Sequence, residues 1–127
     1  MNNPADDNDL NGRRRRMLAL VKAEDPDGAE KLEKLLARKG ELMTGNAYGE
    51  CFTERQFSLV FDPLLERTVE RSRILENLRQ RTASVPVLAA DLGIEAQVVF
   101  EHMKELARRD LVEIAGYEGR DALYRRT

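Results

Sequence analysis

The stretch from Val85 to Leu111, VPVLAADLGIEAQVVFEHMKELARRDL, constrains the fold more than any other part of the chain. Pro86 suits the first turn of a helix, where its missing N–H costs nothing, and Ser84 or Val85 precedes it as the cap. Leu88, Ala89 and Leu92 then face inward, Gly93 allows a sharp turn, and Ile94 packs in that turn. From Glu95 a longer helix repeats Val99, Met103 and Leu106 every three or four residues until Asp110 ends it. Downstream, Leu111, Val112 and Ile114 predict one strand, Gly116 to Gly119 a turn, and Ala122 to Arg125 a returning strand.

The chain upstream is organised differently. Residues 1–12 are rich in Asn, Asp, Pro and Gly and have too little apolar content to offset the entropy of ordering, which predicts a mobile tail. Arg13 to Arg16 then open a short helix, RRRRMLALVK. Such a run can serve as an arm for nucleic acid or an anionic surface, but its low specificity favours the plainer reading, a solvated helix start on an acidic tail. Asp25-Pro26 caps a second helix whose Ala29, Leu32, Leu35 and Leu36 form an apolar stripe, with Arg38 and Lys39 suiting its last turn and Gly40 its stop.

Residues 41–52 read as a loop or irregular turn carrying Tyr48 and Cys51. Because the only basic side chain close to Cys51 in sequence is Arg55, the thiol is read as buried or incidental rather than reactive. Thr53 and Gln56 fit a capping box opening a helix with Phe57, Val60 and Phe61 on one side. Asp62-Pro63 restarts it, and Leu64, Leu65, Thr68, Val69, Leu75 and Leu78 keep the helical period to about Arg81. The spacing predicts one long helix, bent near the proline, whose second half opens the C-terminal domain.

Length and composition bound the rest. At 127 residues the chain suits one folded unit with an N-terminal extension. No run approaches the length of a membrane span and the start has no apolar stretch of signal-peptide type, so a cytoplasmic protein is expected. One cysteine and one histidine make no closed zinc site, and neither a metal nor a cofactor is expected. His102, a lone histidine on a helix, is read as structural or exposed. Basic and acidic residues number 11 against 14 over residues 1–70 and 10 against 9 over 71–127, so any DNA contact must rely on local arginine clusters. No phosphate loop, metal cluster or nucleophile–base set has recognisable spacing, so no catalytic residue is assigned and an enzyme is not expected.

Leu88-Ala89, Leu92-Gly93-Ile94, Val99, Met103, Leu106, Leu111-Val112, Gly119-Arg120 and Tyr124 together resemble winged helix-turn-helix bacterial regulators of the ArsR and MarR kind. The resemblance covers roughly the last 55 residues, rests on positions that determine the fold, and lacks the cysteine motif of metal-sensing members. It implies a winged helix-turn-helix with a small β-wing at 71–127; with the helices read upstream, the chain is expected to be mainly α, with a helical extension at 13–70 suited to dimerisation or docking. It also implies the long helix in the major groove, the wing against the minor groove or the backbone, and a dimer; the helices at 26–39 and 53–70 are read as the surface through which a homodimer would form.

Two functions follow. As a regulator binding duplex DNA, the chain would use Gln97, Lys104, Arg108, Arg109, Arg120, Arg125 and Arg126. Glu95 and Glu101 depart from what a DNA-reading helix favours, since a carboxylate is repelled by phosphate, although it can accept from cytosine N4. The alternative is an accessory subunit that docks on a protein partner through Val98, Phe100 and Glu101.

Overall fold

A computed structural model describes residues 4–39 and 53–127, with residues 4–11 described by backbone alone. The expected helix stop at Gly40 and the loop carrying Tyr48 and Cys51 lie outside the described residues. The elements are α1 (Pro4–Glu24), α2 (Pro26–Ala37), α3 (Glu54–Asn77), α4 (Val85–Leu92), α5 (Ala96–Arg108), β1 (Val112–Glu118) and β2 (Asp121–Arg126). The chain is therefore mainly helical with a small two-stranded antiparallel sheet. It divides into two compact units, Met1–Val69 and Glu70–Thr127, and α3 contributes to both. Among the described residues no helix is long and apolar enough to cross a membrane.

In the first unit, α1 begins at Pro4, upstream of the expected start at Arg13, so the backbone of residues 4–12 is helical. Asp25 caps α2 by accepting from the Gly28 N–H at 3.1 Å, with Pro26 in the first turn, as the Asp-Pro pair predicts. Thr53 and Gln56 form the reciprocal capping box of α3, with Thr53 N donating to Gln56 Oε1 at 2.8 Å and Gln56 N to Thr53 Oγ1 at 3.1 Å. The helix then runs through Pro63 to Asn77, shorter than the expected end near Arg81. Leu18, Leu32, Phe57, Phe61 and Leu65 form the core, with Leu35, Leu36 and Val69 packed against it. Val60, read as sharing a side with Phe57 and Phe61, instead lies 52% exposed, next to Leu59 and Leu64.

The arginine run divides by helical geometry. Arg14 points inward and is 3% exposed, whereas Arg13, Arg15 and Arg16 face solvent. Its guanidinium donates to Asp62 through Nε at 3.1 Å and Nη2 at 3.3 Å, to Ser58 Oγ at 2.9 Å, and to Glu54 Oε1 at 3.4 Å. It also lies over the stacked rings of Phe57 and Phe61, 5.7 and 5.5 Å from their centroids. The solvated-start reading is therefore corrected at Arg14, because its fork of donors finds two carboxylates, a hydroxyl and two rings that offset the desolvation of its charge. A hydrogen bond from Lys39, with further help from Arg14, holds the Glu54 carboxyl below the usual carboxylate range. A carboxyl depressed on folding stabilises above its unfolded pKa, and that contribution fades only as pH falls through the lower folded value.

The second unit is closed by Ile74, Leu75 and Leu78 of α3, Leu88 of α4, Ile94 in the turn, Val99, Met103 and Leu106 of α5, and Ala83 and Val112. Ser84 caps α4, its side chain accepting from Val87 N, and Gly93 ends it at φ 67° and ψ 32°. That left-handed conformation costs a residue with a Cβ about 1–2 kcal/mol, which accounts for glycine there. Arg73 Nη2 donates to the Leu92 carbonyl at 3.2 Å and satisfies one of the acceptors left open at the end of α4.

Strand β1 pairs antiparallel with β2 from Val112↔Arg126 to Glu118↔Asp121, with an irregularity between Ile114 and Gly116 that leaves Ala115 unmatched. The turn is Gly119-Arg120, later than the expected Gly116 to Gly119, because the bulge lets β1 continue through Gly116 and Tyr117. Gly119 has φ 62°, as a two-residue hairpin loop requires at its first position. Ala83, expected in a turn, pairs with Tyr124 through two backbone bonds of 3.1 and 2.9 Å and ties β2 to the segment before α4. Replacing Arg14 with alanine should destabilise the first unit by about 2 kcal/mol, as expected for lost hydrogen bonds to charged groups. In urea titrations of both variants, Arg13→Ala should stay within about 0.5 kcal/mol of the wild type.

Candidate nucleic-acid interface

The face of α5 turned away from the core is fixed by what the helix buries. With Val99, His102, Met103 and Leu106 inward, the outward side chains are Gln97, Phe100, Glu101, Lys104 and Arg108. Four of these form one connected set. Gln97 Nε2 donates to Glu101 Oε1 at 3.1 Å, Lys104 Nζ pairs with Glu101 Oε2 at 3.0 Å, and the same ammonium sits 5.2 Å from the Phe100 ring centroid. Every link spans three or four residues, the spacing at which helix side chains meet.

Beside this face lies a groove of about 230 Å³ lined by Val85 and Pro86 of α4, Phe100 of α5, and Arg120, Asp121, Ala122 and Tyr124 of the hairpin. The fold thus brings the middle of α5 and the hairpin tip to one surface. Arg120, in the turn, is exposed and makes no hydrogen bond or ion pair among the described residues.

The remaining sequence-assigned residues fall elsewhere. Arg108 lies at the far end of α5, held by Glu105 through Nε at 3.0 Å and Nη2 at 2.5 Å. That bond holds the Glu105 carboxyl below the usual carboxylate range and pushes Arg108 up, so the pair is intact at neutral pH. Arg109 caps the helix end and is half-buried. Arg125 reaches across the hairpin to Glu113, its register partner, at 2.6 Å, while Arg126 is half-buried at the strand end. Val98, read as exposed and available for docking, is half-buried and packs against the core. It falls one position before Val99, and the apolar stripe of α5 is wide enough to take in both.

His102 is a structural residue of the second unit and is 4% exposed. Arg71 Nε–H can only donate, and it lies 3.2 Å from His102 Nδ1. Nδ1 must therefore accept, which places the imidazole proton on Nε2, 3.0 Å from Glu70 Oε1. Among the described residues no group of three or more His, Cys, Asp or Glu side chains could hold a metal ion.

The signals that sequence reading left unused were local. The i,i+4 spacing of Gln97 to Glu101 and of Phe100 to Lys104 was visible, whereas the groove depends on the Ala83–Tyr124 pairing that sets the hairpin beside α4. No family model, curated protein or solved structure matches the chain. A long-range proton–nitrogen NMR spectrum should find His102 with Nε2 protonated and Nδ1 bare; a proton on Nδ1 would contradict the hydrogen bond from Arg71.

Proposed function

We propose that the second unit is a winged helix-turn-helix that binds duplex DNA, and that the protein is a cytoplasmic transcriptional regulator acting as a homodimer. The observation carrying this reading is the convergence of the outward face of α5 and the hairpin-tip Arg120 on one groove. In this reading α5 enters the major groove and Arg120 meets the backbone, as the resemblance of the last 55 or so residues implies. The Glu105–Arg108 ion pair is compatible with it. The pair is exposed and screened by solvent, so a phosphate can displace Glu105 from Arg108 at little cost. Leu59, Val60 and Leu64 on the first half of α3, 67%, 52% and 39% exposed, support dimerisation through that helix.

A second reading rests on a specific observation. Phe100 is 43% exposed, while the neighbouring cations Lys104 and Arg108 are each matched by a glutamate on the same helix. A surface that is locally neutral with an exposed aromatic suits a protein partner, and the protein would then be an accessory subunit.

A gel shift with genomic fragments separates the two. The regulator should retard specific duplexes, lose them steeply as salt rises, and show a log–log salt slope lower by about one for Arg120→Ala. No retardation even at low salt, together with a stoichiometric partner that co-purifies with the protein but not with Phe100→Asp, would replace the first reading by the second.

A further inference from the structure

Resting on the DNA-binding reading, we infer that Gln97 and Phe100 form the base-reading pair of α5, specific for an adenine and a thymine methyl within one base-pair step, with Glu101 as the positioning residue. Gln97 Nε2 donates to the Glu101 carboxylate oxygen at 3.1 Å, so the Gln97 amide turns its nitrogen toward Glu101 and its oxygen away. Gln97 keeps Oε1 and the second Nε2 hydrogen available, one acceptor and one donor. That is the pair required by the N6 amino group and N7 of adenine in the major groove.

Phe100 lies one turn further along the same face, with its ring exposed toward the groove and one side occupied by the Lys104 ammonium. Among base edges in the major groove, the thymine methyl is the apolar feature such a ring can cover. Side chains three residues apart on a helix lie about 5–6 Å apart, close enough to reach neighbouring base pairs. Glu101, which as a bare carboxylate would repel the duplex, has its charge offset by Lys104 at 3.0 Å. Its presence on the DNA-facing side is then accounted for by the orientation it imposes on Gln97.

The probe is a pool of random-sequence duplexes enriched on the wild-type protein, followed by fluorescence anisotropy on the enriched sequence. Replacing one particular dT by deoxyuridine removes only the methyl and should weaken wild-type binding about fourfold, the worth of one apolar carbon. The same change should leave Phe100→Ala unaffected. Replacing the neighbouring dA by 7-deazaadenine should weaken the wild type about tenfold and leave Gln97→Ala unaffected. Glu101→Ala should bind unrelated duplexes more tightly yet discriminate less against loss of that adenine, a split that general damage to the helix would not produce. Gln97, Phe100 and Glu101 are exposed, so circular dichroism should show the fold of each variant intact. Enrichment of duplexes in which no thymine methyl distinguishes wild type from Phe100→Ala would overturn the inference and leave DNA binding standing. Failure to enrich any duplex would overturn both.

Discussion

The second unit depends on the burial of one stripe of α5. Val99, Met103 and Leu106 are between 0% and 1% exposed, and each such side chain contributes about 1.5–3 kcal/mol relative to exposure. Rotating α5 by even one residue would trade these for Phe100, Lys104 and Ala107, so the orientation is fixed by a large energy difference. Everything proposed for the unit follows from that rotation, because the face that reads a partner is the complement of the face that is buried. Gly93 supplies the turn that lets α4 and α5 share the core, and the Ala83–Tyr124 pairing holds the hairpin beside α4.

Charge is used differently in the two units. In the first, Arg14 is desolvated and every bond it makes is part of the fold, so its positive charge is withdrawn from any partner. In the second, Lys104 and Arg108 are exposed and paired with glutamates one turn away, an arrangement that costs little to rearrange. A nearly neutral surface of this kind suppresses non-specific attraction to polyanions and leaves discrimination to shape and hydrogen-bond geometry.

Much of the local structure was legible in the sequence because it rests on short-range chemistry. The caps at Asp25, Thr53 and Ser84, the glycine turn at Gly93 and the core stripe of α5 each follow from residues within four positions of one another. What escaped depended on contacts distant in sequence. Arg14 looked like one of four equivalent arginines until Asp62 and Ser58, 48 and 44 residues away, came beside it. The hairpin turn was placed too early because a bulge at Ala115 shifts the register and leaves no mark in the alternation. Of the candidate surface, Gln97, Phe100, Glu101, Lys104 and Arg120 were found from the sequence, since outward positions follow once the inward ones are known. Val98 was misplaced because it borders the stripe, and the groove itself required the tertiary pairing of β2.

The central claim is that a duplex is bound by the outward face of α5 together with the hairpin tip. The most direct measurement is a backbone amide NMR titration of the full chain with an enriched duplex, repeated at two salt concentrations. The account predicts that the shifts concentrate at residues 97–104 and at Gly119 and Arg120, shrink as salt rises, and spare α2. Shifts confined to the first unit, or none at low salt, would contradict it.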